Sequence, residues 1–202
     1  PVTPRFHHAF LSATPGVSSA KPFCLTKDEK SRDSPLGPRL HAPKPARVCE
    51  VEERPALELA CAEEARGLID RHSVIAVVVN RVASVSAIVR QLRDALGDQV
   101  EVTPLTGRMR PLDRDDVLRS RHRQKRWWHW LRSWRPRIIT GRDRASVGKK
   151  LIVVGTQCIE AGADFDFDAL VTEAASFDAL RQRFGRVDRL GMYGKSEGVV
   201  VY

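Results

Sequence analysis

The 202-residue sequence contains no apolar run that approaches the roughly 18 residues of a membrane span. Its start lacks the basic-then-apolar pattern of a signal peptide, so a cytoplasmic location is expected. Its four cysteines are far apart and form no CxxC pair. The spacing therefore predicts reduced thiols, with neither a zinc site nor a disulfide framework.

Two motifs of ATP-hydrolysing proteins are also missing. The candidate phosphate loop GRDRASVGKK, residues 141–150, has six residues between its glycines, lacks the closing Ser or Thr, and precedes an apolar strand. We reject it. Asp28 and Glu29 form an acidic pair, but they lie in a proline-rich stretch with no apolar strand before them, so we interpret them as solvated.

Basic residues are concentrated in one segment. The net charge is +9, and residues 119–150 hold 12 of the 34 Lys and Arg with one acidic residue, whereas the rest of the chain is slightly acidic. A patch docked on phosphates and a solvated loop would both have this composition. The charge alone leaves the two interpretations equally weighted.

The same basic segment carries every tryptophan of the chain. Four tryptophans within eight residues alternate with cations that include Arg132 and Arg135. Such a mixture suits stacking on unpaired bases and contact with phosphates. The alternative is a short helix that docks its tryptophans on the domain surface, and we favour it for at least two of the four. We expect Arg132 and Arg135 to add to a single-strand track.

The order of apolar segments predicts an α/β fold, a parallel sheet flanked by helices. The β-branched run at residues 73–80 indicates a strand buried on both faces, and residues 84–96 form an amphipathic helix that ends at Gly97. Ligands of such sheets bind at the carboxyl ends of the strands. Further strands are predicted at residues 6–16, 47–52, 99–105, 151–156, 167–174 and 198–202, and further helices at 56–72, 113–122 and 177–184.

The most informative block is residues 151–191. A buried strand ends in Gly155, Thr156 and Gln157, where backbone N–H groups could meet a phosphate. In QRFGRVDRLG, residues 182–191, helical spacing would place Gln182, Arg186 and Arg189 on one face. From the arginines alone, a solvated or salt-bridged face is the favoured interpretation, and the alternative is contact with the γ-phosphate of a nucleotide.

The order of the motifs favours the second interpretation, because it resembles the carboxyl-terminal RecA-like domain of superfamily 2 helicases. FLSATPG resembles the Ser-Ala-Thr motif, VVVNRVASVSAIVRQL the first strand and helix of the second motor domain, and QRFGRVDRLG the final motif. The resemblance implies nucleic-acid contacts for Ser12, Thr14, Thr156 and Gln157, cofactor contacts for Gly162, Asp164 and Gln182, and catalytic, nucleotide-facing roles for Gln182, Arg186 and Arg189.

Within that superfamily the sequence is most similar to the helicase-nuclease family of type I CRISPR interference. LTGRMRPLDRDD, PRLHAPKPA and the long TQCIEAGADFDFDALVTEAASFDALRQRFGRVDRLG carry the likeness. It implies a prokaryotic ATP-dependent 3′-to-5′ DNA translocase that uses ATP with magnesium, single-stranded DNA and a CRISPR RNA-guided surveillance complex. It also places Arg108 and Arg110 near the moving strand. No His-Asp dipeptide occurs, so the family's metal-nuclease domain is not expected within these residues.

These expectations give a division of the chain and two alternatives. Residues 1–16 would end a first motor domain, 17–55 would form a connector, and 56–202 would form the second RecA-like domain with 119–150 as an insertion. Pro1 in place of a methionine suggests a fragment, and without a Walker loop the chain alone is expected to be inactive. The alternatives are half of a generic repair or RNA helicase, and a nucleic-acid-binding module without a motor cycle.

Overall fold

The computed structural model describes residues 24–107, 149–160 and 165–202. Six parallel strands in these ranges form one sheet in the order β1-β6-β5-β2-β4-β3. The central strand β2 pairs with β4 on one side and with β5 on the other. The strands are β1 Ala46–Cys49, β2 Val74–Val78, β3 Glu101–Leu105, β4 Leu151–Gly155, β5 Ala169–Glu173 and β6 Glu197–Val201.

Two long helices cover the first face of the sheet. Helix α2, Arg54–Ile69, and helix α3, Val82–Leu96, pack their apolar sides against alternate residues of the strands. Cys61 of α2 is fully buried in this cluster, and burial raises the pKa of its thiol to about 12. None of the helices in the described ranges is long and apolar enough to cross a membrane.

The second face of the sheet is covered differently. A 3-10 turn at Gln157–Ile159, the residues that lead into β5, and the short helix α4, Phe177–Phe184, lie on this side. Phe165 and Phe167 are buried here with their ring centroids 5.6 Å apart, next to Ile159. This face therefore brings together the chain that follows β4 and the chain that follows β5.

The predicted α/β class is confirmed, since every strand of the described sheet is parallel and long helices alternate with strands. The predicted helix at 177–184 is observed as Phe177–Phe184, and Gly97 ends α3 as expected. The other predicted elements within the described residues differ from the observed ones by at most three residues at either end. The predicted helix at 113–122 and the strand at 6–16 lie outside the described residues.

The proline-rich stretch before β1 contacts the body of the domain where the structure describes it. A short helix, α1 Gly37–His41, precedes β1, and β1 pairs in parallel with the last strand. The hydroxyl of Ser196 donates to the carbonyl of Pro43, and the Gly198 N–H donates to the carbonyl of Pro45. The strand predicted at residues 47–52 is thus an edge strand of the sheet.

Candidate functional site

Polar groups from three connections meet beside the carboxyl ends of β2, β4 and β5. Asn80 follows β2, Glu160 follows the turn after β4, and Glu173 ends β5. The Glu173 carboxylate accepts from the Asn80 backbone N–H at 2.7 Å and from the Arg54 guanidinium at 3.1 Å. The Asn80 amide donates in turn to the Ala174 carbonyl at 2.9 Å. These bonds tie the ends of neighbouring strands to one another.

Arg183 lies at the centre of this group. It projects from α4 and is 1% exposed. Its Nε donates to the Glu160 carboxylate at 2.8 Å, and its Nη2 donates to the Asn80 side-chain oxygen at 3.0 Å. Its Nη1 donates to the Thr172 hydroxyl at 2.8 Å and to the Glu173 carbonyl at 3.0 Å. A buried guanidinium with an anionic partner and several acceptors is satisfied in the way that burial of a charge requires.

The segment after α4 does not continue the helix, so the helical face predicted for Gln182, Arg186 and Arg189 is wrong. Helix α4 ends at Phe184, and the Gly185 N–H caps it by donating to the Arg181 carbonyl. The chain then pairs with Phe167 in a short parallel bridge at Val187. Gln182 is therefore helical and partly exposed, whereas the two arginines lie on an irregular segment.

This irregular segment, residues 185–191, is fixed at several points, and we call it the arginine segment. The Phe167 N–H donates to the Arg186 carbonyl at 2.8 Å, and the Asp188 N–H donates to the Phe167 carbonyl at 2.9 Å. Asp188 is 1% exposed, has a φ of 40°, and its carboxylate accepts the N–H groups of Tyr193 and Gly194 at 3.0 Å. Hydrogen bonds at residues 186 and 188 thus fix the segment against Phe167 and against the chain that follows it.

The two arginines of the arginine segment contact residues on either side of positions 161–164. The Arg186 Nη2 donates to the Glu160 carbonyl at 2.6 Å, and the Arg189 backbone N–H donates to the Asp166 carboxylate at 2.9 Å. Both side chains are partly exposed. The structure therefore brings Arg186 and Arg189 against the residues that connect β4 to β5, on a segment that is not helical.

The glycine and threonine that end β4 have a packing role. A Cβ at Gly155 would lie 2.5 Å from the Leu105 carbonyl oxygen and 2.8 Å from Ile159 Cδ1, so a side chain has no room there. The Thr156 N–H donates to the Leu105 carbonyl at 3.3 Å. Of the N–H groups expected near a phosphate at this strand end, that of Thr156 is therefore used by β3. Thr156 is mostly buried, and Gln157 is exposed.

Two of the aspartates in DFDFD have structural partners. The Asp168 carboxylate accepts the N–H groups of Ser73 and Val74, both at 2.9 Å, and so joins the start of β5 to the start of β2. Asp166 accepts from Arg189, as described above. Both carboxylates are buried. These two carboxylates thus stabilise the fold and fix the arginine segment.

The chain before β1 also touches the arginine segment and the helix before it. The Lys44 ammonium donates to the Phe184 carbonyl at 3.0 Å, at the end of α4. Burial lowers the pKa of Lys44, and the nearby carboxylates of Asp188 and Asp166 partly offset that effect. Gly191 packs directly on Pro38, where a Cβ would lie 1.8 Å from the Pro38 carbonyl oxygen.

Several predicted site residues lie outside the described residues: Ser12, Thr14, Arg108, Arg110, Arg132, Arg135, Gly162 and Asp164. Arg183, in contrast, is a central residue that the motif assignment passed over. The sequence contained one indication that Arg183 is buried. It lies three residues after Leu180 and one before Phe184, on the stripe of α4 that faces the sheet.

Comparison with known proteins connects this chain to one family. The family described as CRISPR-associated nuclease/helicase Cas3, C-terminal, matches residues 71–191, which is more than half of the chain. The Cas3 of Streptococcus thermophilus is 29% identical over 133 residues, covering 60% of this chain and 11% of that protein. The Cas3 of Methanothermobacter thermautotrophicus is 42% identical over 53 residues, covering 26% of this chain and 6% of that protein. The chain thus spans about a tenth or less of these relatives.

Solved structures share the fold. The crystal structure of T. fusca Cas3-ADP superposes with a TM-score of 0.59 at 19% identity, covering 80% of this chain and 18% of that one. The C-terminal domain of the DEAD-box protein Dbp5 superposes with a TM-score of 0.53 at 15% identity, covering 80% and 77%. The six-stranded parallel sheet is therefore that of a RecA-like helicase C-terminal domain. By the family match across residues 71–191, this chain belongs to the Cas3 family as part of its C-terminal helicase region.

Proposed function

We propose that this chain is the second motor domain of an ATP-dependent superfamily 2 DNA helicase or translocase. In the intact protein, Arg186 and Arg189 stabilise the charge that develops on the γ-phosphate during ATP hydrolysis. Gln182 faces the same nucleotide from the last turn of α4. The observation that carries the proposal is the fixed arginine segment, which holds two arginines against the block after β4.

The chemistry of this segment suits a phosphate. Guanidinium groups recognise phosphate oxygens with two parallel N–H donors, and a rigid backbone lowers the entropy lost when they bind. Gly162 and Asp164 lie between the described contacts at Glu160 and Asp166, and we assign Asp164 to the ribose of the nucleotide. ATP would bind with magnesium, whose ligands we expect on another domain of the intact protein.

The proposed nucleic-acid contacts come from separate parts of the chain. Thr156 and Gln157 would touch the backbone of single-stranded DNA after β4, and Ser12 and Thr14 would couple that contact to the nucleotide state. Arg108 and Arg110 would lie near the moving strand. Because relatives are named CRISPR-associated nuclease/helicase, we propose an RNA-guided CRISPR surveillance complex as the partner, in the cytoplasm of a prokaryote and in antiviral defence.

The experiment that tests the motor role is Arg189→Ala in the intact protein. We expect DNA-stimulated ATP turnover to fall by roughly a hundredfold or more, because loss of a single charge-stabilising donor costs about that much. Affinity for single-stranded DNA should stay within about threefold. Arg181→Ala is the matched control, since Arg181 is exposed on α4 and its loss should leave turnover unchanged. Loss of DNA binding with turnover retained would support a binding module and contradict the motor role.

A second expectation concerns the chain by itself. The purified 202 residues should hydrolyse no ATP above background, because no phosphate-binding loop is present to supply a lysine and the magnesium site. A phosphate-release assay with and without single-stranded DNA measures this. A robust DNA-stimulated rate would contradict the composite-site proposal.

The basic insertion makes a further prediction about DNA binding. Replacing Arg132 and Arg135 with Glu should weaken single-strand binding and flatten its dependence on salt. With fewer phosphate contacts, fewer counterions are released from the DNA when the protein binds. Fluorescence anisotropy at several salt concentrations measures both quantities. The control pair Arg66→Glu and Arg90→Glu makes the same charge change on exposed positions of α2 and α3. Equal effects of the two pairs would show a general charge effect and no strand track.

A further inference from the structure

Arg183 and Arg186 hold the same residue from two sides. The Arg183 Nε donates to the Glu160 carboxylate at 2.8 Å, and the Arg186 Nη2 donates to the Glu160 backbone carbonyl at 2.6 Å. We propose that Arg183 and Glu160 are positioning residues that set where the Arg186 guanidinium lies during ATP turnover. The inference rests on the proposed role of Arg186 at the nucleotide.

The Arg183–Glu160 pair is suited to this task because it is not free to move. Arg183 is 1% exposed, and the Glu160 side chain is 12% exposed. An ion pair so sheltered from water is costly to separate, since each partner would be left as a buried, uncompensated charge. The Glu160 carboxylate is thus held relative to α4. The main chain at this residue is fixed as well, since the Glu160 N–H donates to the Gln157 carbonyl at 2.9 Å.

The remaining bonds of Arg183 connect this pair to the sheet. Its two Nη groups donate to Asn80 after β2 and to Thr172 and Glu173 at the end of β5. Glu160 itself follows the turn after β4. The acceptor of Arg186 is thereby located relative to three neighbouring strands, and a change at Arg183 would move it.

Such a change should affect the reaction more than the binding of ATP. A displacement of about 1 Å at a charge-stabilising group can cost on the order of a hundredfold in rate. Arg183 touches neither the nucleotide nor its reacting atoms in this scheme, so its effect should pass through Arg186. If Arg183 acts by positioning Arg186, its substitution should lower the rate only when Arg186 is present. A general contribution to stability would lower the rate with or without Arg186.

The test is a double-mutant cycle in the intact protein with Arg183→Lys and Arg186→Ala. Lysine keeps the positive charge, but a single ammonium has no planar fork to reach acceptors in three separate parts of the chain. Single-turnover ATP cleavage with saturating single-stranded DNA is the main readout, with kcat and KM for ATP beside it. We expect Arg183→Lys alone to lower kcat at least tenfold, with KM within threefold. On the Arg186→Ala background it should change the rate less than twofold.

A destabilising control distinguishes positioning from loss of fold. Leu92→Ala removes a buried side chain of α3 on the first face of the sheet. It should lower the melting temperature of the protein without changing kcat. If Arg183→Lys does not fold, Glu160→Gln replaces it, because glutamine keeps the size of the side chain and removes its charge. For Glu160→Gln we expect a threefold or larger loss in kcat that again requires Arg186.

The outcomes are distinguishable. Equal losses from Arg183→Lys on both backgrounds, or no loss at all, would overturn the positioning role while leaving the motor role of Arg186 intact. Full turnover by Arg186→Ala itself would overturn the proposed function, and the positioning role with it. If Arg183→Lys lowers turnover when Arg186 is present but not when it is replaced by alanine, the result supports both the positioning role of Arg183 and the motor role of Arg186.

Discussion

Arg186→Ala is expected to lower ATP turnover of the intact protein by roughly a thousandfold, at the lower end of the range for arginine fingers. The substitution removes a guanidinium that donates to the Glu160 carbonyl and is proposed to reach the γ-phosphate. The backbone of the segment should remain in place, because Phe167 pairs with the carbonyl of residue 186 and with Asp188 through main-chain atoms. A coupled phosphate-release assay at saturating ATP and DNA measures the effect.

Two further measurements distinguish a role at the nucleotide from a role in DNA binding. Affinity for single-stranded DNA, followed by anisotropy, should remain within about threefold, since the arginine acts on the nucleotide. Arg186→Lys keeps the charge without the planar pair of donors and should recover only a small part of the lost rate. If DNA affinity falls in proportion to turnover, the arginines serve as a basic binding face and the motor role is wrong.

The sheet could be predicted from the sequence because two of its inner strands, β2 and β4, are nearly continuous apolar runs rich in β-branched residues. Val74–Val78 and Leu151–Gly155 are buried at every position, which is the pattern of parallel strands covered on both faces. Helix α3 was equally clear, since its apolar spacing and Gly97 marked both the buried face and the end. Such features depend on neighbours in sequence, so they can be recognised without tertiary contacts.

The geometry of the arginine segment depended on contacts that sequence spacing does not contain. Helical spacing grouped Gln182, Arg186 and Arg189, but the helix ends at Phe184 and the chain then pairs with Phe167 at Val187. This pairing joins residues about 20 positions apart. Arg183 was overlooked for a related reason. Its charge resembles that of its neighbours, and its role is visible only from its burial and its bonds to Asn80 and Glu160.

The DFDFD run shows the same limit for its carboxylates. An alternating pattern in a strand would place the phenylalanines inward and the aspartates in solvent. The structure buries Asp166 and Asp168 beside Phe165 and Phe167, because backbone N–H groups from β2 and from the arginine segment need acceptors. Residue identity indicated the family, but the partners of each carboxylate became visible only in the fold.

The second large effect is expected from Gly191→Ala, which should destabilise the domain by about 3 kcal/mol or more. Gly191 has a φ of 67°, where an L side chain is strained, and its Cβ would lie 1.8 Å from the Pro38 carbonyl oxygen and 2.3 Å from the Pro38 carbonyl carbon. These neighbours are backbone atoms of α1 and cannot rotate away. The substitution must shift α1, the end of the arginine segment, or both.

Gly194→Ala provides a matched control for the steric part of that cost. Gly194 has a φ of 70°, close to that of Gly191, yet no atom lies within 4 Å of the position of an added Cβ. Gly194→Ala should therefore lower the free energy of unfolding only by the cost of an L residue at positive φ, about 1–2 kcal/mol. Urea unfolding of both variants and the parent chain, followed by circular dichroism, measures the difference. Equal destabilisation by the two substitutions would contradict close packing of α1 on Gly191, and with it the link between the chain before β1 and the arginine segment.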